Sequence, residues 1–296
     1  MKLGTIEHRG KNKVVALIDE KNVLDLSDDH ADMVALVEVG EEALSEIRRK
    51  LASPDKIIPL SEVKMRCPIM PVQYRDFMVH ELHLINAYEQ VNKMSGSALS
   101  IPKVWYDQPI YYKGNRMSFI GDKQDVLWPA YSESMDFELE MAIIIGKKGV
   151  DISTVDAPSY IFGYTILNDI SARDAQFKES AAGLGPAKGK DFDTGNILGP
   201  WILTADEVAY PPALKMDALI NGERWGGGNS NLMHHSFADM IAHVSQSETL
   251  YPGEVLGSGT VGTGCGLELG KRLSPGDTIE LTIEKLGTLT NTIKRT

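Results

Sequence analysis

The sequence predicts an α+β protein that is mostly β, with a mixed or antiparallel sheet that folds back on itself. Two observations favour this class. From about residue 70 the chain consists mainly of short segments of strand composition, with few segments of helical spacing. The turns between them fall at irregular intervals, whereas a doubly wound α/β fold would alternate strands and helices regularly.

Residues 1–65 are expected to form a small N-terminal α/β domain. The segments KVVALIDE and NVLDLS have the composition of short strands around the turn-forming EKN. The segment HADMVALVEVGEEALSEIRRKLA has the apolar spacing of a helix and a basic C-terminal end. The proline-containing segment SPDKIIPLSEVKMRCPIMP then predicts a linker into a main domain at residues 66–296.

The main domain is expected to contain at least five segments of strand composition and three helices. The strand segments are DFELEMAIII, YIFGYTILN, GPWILT, KMDALIN and TIELTIEKLGTLTNTI. The last of these breaks at Leu286-Gly287, which predicts a terminal hairpin. Helices are expected near residues 80–93, from SARDAQ onward, and in SFADMIAHVSQ.

Charge and composition argue against several classes of function. The chain has 296 residues and a formal net charge of −11 without a run of Lys and Arg, so nucleic-acid binding is not expected. No stretch approaches the roughly 20 apolar residues that span a bilayer, and the N-terminus does not resemble a signal peptide. Cys67 and Cys265 lie far apart without metal-ligand spacing, which fits a reducing cytoplasm.

The segment DFELEMAIIIG places two carboxylates on one face of a strand. Glu138 and Glu140 are two residues apart and therefore share a face, while the isoleucines that follow predict burial on both faces. Burying two like charges is costly unless a partner compensates them. The pair is therefore expected either to face water on an edge strand or to share one cation.

A third carboxylate, Asp169, ends the next apolar segment, YTILNDISARDAQ. An acid at a strand-to-helix junction is commonly a helix cap, and Ser171 with Asp174 resembles a capping box. Arg173 and Gln176 follow in the first turn of the expected helix, however, which indicates more than capping. Three carboxylates without His or Cys form a hard-oxygen set that suits Mg²⁺ or Mn²⁺.

Several motifs together resemble the fumarylacetoacetate hydrolase family. They are DFELEMAIIIG, YTILNDISARDAQ, LGPAKGKDFDTGNILGPWI and the C-terminal GSGTVGTGCGLEL with PGDTIELTIEKLGTLTN. The resemblance covers roughly residues 70–296. It implies a mixed β-sandwich roll, a homodimer, and a divalent cation (Mg²⁺, Mn²⁺ or Ca²⁺) held by acidic side chains. It also implies a small anionic keto or diketo acid as the substrate.

The resemblance assigns the metal site and a general base. The implied metal ligands are Glu138, Glu140, Asp169 and, from the segment YRDFMVHELH, Asp76. The same segment would supply His83 as the general base, and Glu268 in GLEL would orient its ring. The plainer alternative, in which His83 is an ordinary helix histidine, stays open from the sequence alone.

The resemblance also assigns substrate contacts. The implied residues are Arg173, Gln176 and Lys190, facing the substrate oxygens, together with Tyr112 and Thr263. Thr194 would support the network near the metal. Plainer readings stay open for some of them: Arg173 pairing with a nearby carboxylate, Lys190 as a surface charge, and Thr263 as support for a turn.

The sequence departs from the family pattern at three positions. Met78 and Ser180 stand where fumarylacetoacetase has tyrosines, which argues against fumarylacetoacetate itself as the substrate. Phe77 stands where many short members carry a histidine, so His80 or His83 would have to activate water.

The predicted function is a metal-dependent hydrolase that cleaves a C–C bond in β-diketo or acylpyruvate acids through a metal-bound enolate. Two alternatives stay open at this point. An oxo-acid decarboxylase or keto–enol isomerase would use the same metal site without the water. A non-catalytic metabolite-binding protein would use the scaffold alone.

Overall fold

A computed structural model describes residues 1–295 of the chain. The strands are β1 Lys2–His8, β2 Lys11–Leu17, β3 Asn22–Asp25, β4 Ile57–Pro59, β5 Lys64–Arg66, β6 Tyr74–Phe77, β7 Tyr111–Lys113, β8 Phe119–Ile120, β9 Asp125–Trp128, β10 Met135–Asp136, β11 Leu139–Ile145, β12 Ile161–Asp169, β13 Ser171–Ala172, β14 Asn196–Thr204, β15 Lys215–Ile220, β16 Glu223–Asn229, β17 Val255–Gly257, β18 Thr278–Ile283 and β19 Gly287–Arg295. The helices are α1 Met33–Val39, α2 Glu41–Ala52, α3 Glu81–Ser95, α4 Lys103–Asp107, α5 Arg173–Ser180, α6 Phe237–Val244 and α7 Gly266–Leu269.

Most strands belong to two sheets. The larger sheet has 12 strands in the order β4-β3-β2-β1-β14-β12-β11-β17-β6-β7, with β5 beside β1 and β8 beside β14. The smaller sheet has five strands in the order β16-β15-β18-β19-β9. Antiparallel pairs such as β11 with β12 occur beside parallel pairs such as β17 with β6. The predicted fold class, α+β and mostly β with mixed sheets, is confirmed.

The main core lies between the two sheets. Inward-facing residues from both contribute to one buried cluster, among them Met141, Ile166, Ile197, Ala218, Leu281 and Leu289. In β11, Met141 and Ile143 belong to this cluster, while Ala142 and Ile144 belong to a second cluster under α1 and α2. Strand β11 is therefore buried on both faces, as its run of isoleucines predicts.

The N-terminal segment continues the larger sheet. Strand β1, which the sequence analysis did not identify, pairs with β14 through Lys2↔Leu203 and Leu3↔Ile202. The expected linker was wrong in detail, because it contains β4 and β5, and β5 pairs with β1. The domain boundary at residue 65 stays a prediction, and the chain on both sides of it shares one sheet.

The single long helix expected near residues 30–52 was wrong, because the structure has two helices there. Helix α1 ends and α2 begins at Gly40, whose φ of 67° is a left-handed conformation that favours glycine. The longest helix, α3, has 15 residues. Within residues 1–295, no helix has both the length and the apolar character needed to cross a membrane.

Candidate active site

Three of the four implied metal ligands converge on strands near one end of the larger sheet. Asp76 lies on β6, Glu140 on β11 and Asp169 at the end of β12, and one oxygen of each lies within 4.8 Å of the others. Strand β17 lies between β11 and β6 and pairs Gly257 with Asp76. A Cβ at Gly257 would overlap the carboxylate of Asp76, so only glycine allows this close approach.

The three carboxylates carry more negative charge than their surroundings balance. Burial and the charge of Asp169 raise the pKa of Asp76 well above its ordinary value. Burial and the charge of Asp76 do the same for the pKa of Glu140. In residues 1–295, the buried Oδ1 atoms of Asp76 and Asp169 have no hydrogen-bond partner. An oxygen-only donor set with free buried atoms fits a divalent cation such as Mg²⁺, Mn²⁺ or Ca²⁺.

Glu138 differs from the other three carboxylates because the side chains of Lys190 and Arg173 already contact both of its oxygens. Lys190 Nζ lies 2.5 Å from Glu138 Oε2 and 2.5 Å from Asp169 Oδ2. Arg173 Nη2 lies 2.8 Å from Glu138 Oε1. Burial by itself raises the pKa of Glu138, but the charges of Lys190 and Arg173 outweigh it and hold the pKa well below its ordinary value. Glu138 as a metal ligand stays a prediction.

Lys190 is not a surface charge. Its side chain is buried, and its ammonium bridges the acidic cluster and Glu138. Burial lowers the pKa of Lys190, but Asp169 and Glu138 outweigh that effect and raise it above its ordinary value. Lys190 therefore offsets part of the negative charge of the carboxylates within the protein.

The implied base and its carboxylate partner lie in contact. His83 on α3 places Nδ1 2.8 Å from Oε1 of Glu268 on α7. The other oxygen of Glu268 accepts hydrogen bonds from Asn86 Nδ2 at 2.9 Å and from the backbone N of Thr263 at 2.6 Å. A carboxylate held in this way fixes the orientation of the imidazole ring.

The alternative base, His80, does not line the same cavity. Its side chain is fully buried, and burial, with a smaller effect from the neighbouring His83, lowers the pKa of His80 to about 3. Of the two candidates named by the sequence, His83 is therefore the one that can reach a substrate.

Arg173 is engaged by protein groups on every side of its guanidinium. Its Nε and Nη2 donate to Asp136 Oδ2 at 2.9 Å and 2.7 Å, and its Nη1 donates to Gln176 Oε1 at 3.0 Å. All three guanidinium nitrogens thus already donate to protein oxygens, and contact of Arg173 with a substrate oxygen stays a prediction. The plainer reading, in which Arg173 pairs with nearby carboxylates such as Glu138, matches the geometry.

Asp136 is a site residue that the sequence analysis missed. Besides Arg173, it accepts hydrogen bonds from the backbone N of Gly266 and of Leu267, at 2.8 Å and 2.9 Å. It thus connects the segment that carries Glu138 to the helix that carries Glu268. The signal was present, because Asp136, Glu138 and Glu140 alternate in D-x-E-x-E.

The remaining predicted contacts divide into one that lines the cavity and two that do not. Tyr112 lines it and donates its hydroxyl proton to Asp169 Oδ2 at 2.8 Å. Thr263 was predicted to contact substrate, but its hydroxyl donates to Gly227 O at 2.9 Å away from the cavity, so it supports a turn instead. Thr194 accepts from the backbone N of Leu127 and is absent from the metal-side network.

Most of the predicted site residues line one cavity. It has a volume of about 580 Å³. Its polar lining includes Asp76, His83, Tyr112, Glu138, Glu140, Asp169, Arg173, Gln176 and Lys190. The three positions that depart from the family pattern, Phe77, Met78 and Ser180, line it as well. The cavity combines a candidate cation site, a candidate general base and hydrogen-bond donors, which is the combination expected of an active site.

Comparison with known proteins identifies the family. A sequence profile described as Fumarylacetoacetate (FAA) hydrolase C-terminal matches residues 82–294. The chain belongs to the fumarylacetoacetate hydrolase family. Oxaloacetate tautomerase Fahd2a, mitochondrial, of Rattus norvegicus is 36% identical over 262 residues, covering 88% of this chain and 79% of the relative.

Solved structures of the fumarylacetoacetate hydrolase family share the fold of the whole chain. The 5-carboxymethyl-2-hydroxymuconate delta-isomerase of Mycobacterium smegmatis is 25% identical with a TM-score of 0.76, covering 100% of both chains. Maleylpyruvate hydrolase of Sphingobium sp. SYK-6, in complex with manganese(II) and pyruvate, has a TM-score of 0.79 at 23% identity, covering 100% of this chain and 99% of that one.

Membership of the fumarylacetoacetate hydrolase family sets the class of chemistry. The relatives named above are enzymes, and this chain is an enzyme that acts on small ketonic acids. The non-catalytic alternative is therefore not retained. A divalent cation as cofactor agrees with the acidic cluster of this chain.

Proposed function

We propose that this protein interconverts the keto and enol forms of a 2-oxo acid by metal-assisted proton transfer. This is one of the alternatives to the hydrolase expected from the sequence. The observation that carries the proposal is the pairing of His83 with Glu268 in the cavity that also contains the acidic cluster. The names of its oxaloacetate tautomerase relatives support the same reaction.

The proton chemistry follows from the orientation of His83. The carboxylate of Glu268 accepts a hydrogen bond from Nδ1–H, which keeps the ring proton on Nδ1. The second ring nitrogen, Nε2, is therefore unprotonated in the neutral ring and can act as a base. Nε2 takes a proton from the carbon beside the substrate carbonyl, and the resulting imidazolium returns a proton to the oxygen. Glu268 stabilises the charge on the imidazolium between the two steps.

The acidic cluster contributes to binding and to the acidity of the substrate. Asp76, Glu140 and Asp169, with Glu138 as a fourth candidate, would hold the divalent cation. When bound, the cation withdraws electron density from the carbonyl, so the adjacent carbon loses its proton more readily. Lys190 keeps the buried carboxylates together and offsets part of their repulsion toward an anionic substrate.

Hydrolysis of an acylpyruvate is a second candidate because of the orientation of Gln176. Arg173 donates to Gln176 Oε1, so the amide nitrogen of Gln176 is the free end in the cavity. A fixed donor of this kind can stabilise the oxyanion that forms when water attacks a carbonyl. In this reaction His83 Nε2 would take the proton from water instead of from carbon.

One experiment tests the base. Purified protein with Mg²⁺ is mixed with the enol form of oxaloacetate or with an acylpyruvate, and the loss of enol absorbance and the release of pyruvate are followed separately. We expect His83→Ala to lower tautomerisation and hydrolysis at least 100-fold, because general-base catalysis contributes about 10²- to 10⁴-fold. Decarboxylation of oxaloacetate needs no base, so the rate of pyruvate release from oxaloacetate by this route should be largely retained in His83→Ala.

The matched control is His234→Ala, a histidine that does not line the cavity. It should retain wild-type rates in each assay. Retention of tautomerisation and hydrolysis in His83→Ala would remove His83 from its proposed role. Release of pyruvate from acylpyruvates, faster than loss of the oxaloacetate enol, would favour the second candidate.

A cytoplasmic homodimer completes the proposal. Cys67 and Cys265 are both free and buried, as expected in a reducing compartment. The dimer rests on the family resemblance, and sedimentation measurements would test it directly.

A further inference from the structure

We infer that the substrate of this enzyme combines a 2-oxo acid head with an apolar tail of several carbons, in place of a second carboxylate at its far end. This inference rests on the proposed function and narrows the class of oxo acid that the cavity accepts. It depends on how polar and apolar side chains divide the cavity, and on which of its cations are already bound.

The cavity has a polar floor and an apolar wall. The floor contains the acidic cluster and His83. One side of the wall is α3, where Leu84, Ala87 and Val91 recur at spacings of three and four and so share one helix face. The other side contains Phe177 and Leu184 from α5 and the loop after it. A substrate whose head reaches the floor therefore extends between apolar side chains.

The wall offers no free cation for a distal carboxylate. Among the described residues that line the cavity, the groups that carry or can gain a positive charge are His83, Arg173 and Lys190. Each is already bound to a carboxylate: Lys190 to Glu138 and Asp169, Arg173 to Asp136 and Glu138, and His83 to Glu268. A second carboxylate placed against the wall would lose its hydration without gaining a positively charged partner that is still free.

The size of the cavity points the same way. A volume of about 580 Å³ lies within the range of roughly 300–1,000 Å³ that holds drug-sized ligands. Oxaloacetate is far smaller and would leave most of the wall in contact with water. Tail carbons would instead bury the exposed apolar surface of Phe177 and Leu184, which are 40% and 82% exposed.

Binding of straight-chain 2-oxo acids tests the inference without requiring turnover. Isothermal titration calorimetry with magnesium-loaded protein compares 2-oxo acids from 2-oxobutanoate to 2-oxodecanoate. We expect Kd to fall about three- to fourfold for each added methylene until the wall is filled, since each buried methylene contributes about 0.8 kcal/mol. Of the matched pair 2-oxohexanoate and 2-oxoadipate, the monoacid should bind more tightly, by at least tenfold.

Variants of one helix locate the tail. Ala87→Phe places a larger side chain in the apolar part of the cavity. It should raise the Kd for 2-oxodecanoate at least tenfold, while the Kd for 2-oxobutanoate stays within twofold of the wild-type value. The control, Ile85→Phe, lies on the same helix at a position that is 49% exposed and does not line the cavity, and should change neither Kd. Val91→Trp, nearer the end of the helix, provides a second test if Ala87→Phe does not fold.

The outcomes separate this inference from the proposed function. A Kd independent of chain length, or tighter binding of 2-oxoadipate than of 2-oxohexanoate, would overturn the apolar tail even if oxaloacetate is turned over. A clear chain-length dependence without turnover of any oxo acid would overturn the proposed reaction and leave the tail site in place. Absence of binding by every member of the series would overturn both.

Discussion

Replacing Asp136 with asparagine should lower the stability of the protein, because both carboxylate oxygens of Asp136 accept hydrogen bonds. Its Oδ1 accepts from the backbone N of Phe137 and Gly266, and its Oδ2 accepts from Leu267 N and from Arg173. An amide can accept on one side only, so Asp136→Asn leaves either buried backbone N–H groups or the buried guanidinium without a partner. Breaking a buried ion pair costs about 3–5 kcal/mol.

We therefore expect Asp136→Asn to lower the free energy of unfolding by about 3–5 kcal/mol, measured by urea denaturation of the metal-free protein. The matched control is Asp217→Asn, which breaks an aspartate–arginine pair with Arg224 at the surface. Exposed pairs contribute about 0–1 kcal/mol. A loss in Asp136→Asn no larger than the loss in Asp217→Asn would refute the view that Asp136 holds the site together.

Three further predictions concern the acidic cluster and its neighbours. Glu140→Gln should weaken Mn²⁺ binding at least tenfold, measured by calorimetry, and unchanged affinity would exclude Glu140 as a ligand. The same substitution should raise the stability of the metal-free protein, because burial and the charge of Asp76 disfavour the charged form of Glu140, as its raised pKa indicates. Gly257→Ala should also weaken Mn²⁺ binding, because its Cβ would overlap Asp76, and a crystal structure with Asp76 in place would contradict this. Burial lowers the pKa of His80 to about 3, so only the unfolded chain, with a His pKa near 6.5, takes up this proton between pH 7.5 and 5.5. Wild type should therefore lose about 1.4 kcal/mol more stability over that range than His80→Gln, and equal losses by urea denaturation would contradict the burial of His80.

Strands of the core were predictable because their composition is unambiguous. Strand β12 and the pair β18 and β19 lie within a residue or two of the expected segments, and the terminal hairpin turns where Leu286-Gly287 indicates. Strand β1 was missed because Lys2–His8 mixes polar and apolar residues at the chain start, and its burial depends on pairing with β14. Distant pairing of this kind has no local signal in the sequence.

The sequence indicated most residues of the candidate site, but it did not indicate which of them contact each other. The alternation of Glu138 and Glu140 indicated a buried charge site, and the same alternation extends back to Asp136, which was overlooked. Thr263 was assigned to the substrate on motif alone, but its backbone φ of 66° and its bond to Gly227 make it part of a turn. Which carboxylates Lys190 and Arg173 would neutralise depends on three-dimensional distances that the sequence does not contain.

The positions of Asp76, Glu140 and Asp169 have a consequence for how this enzyme acquires its metal ion. They belong to three strands that become neighbours only when β12, β11, β17 and β6 are aligned side by side. An immature chain in which one of these strands is still unpaired lacks the complete set of three carboxylates. A cation that binds the assembled set stabilises only the native state, so metal uptake would follow folding and lower the chance that the finished enzyme reopens.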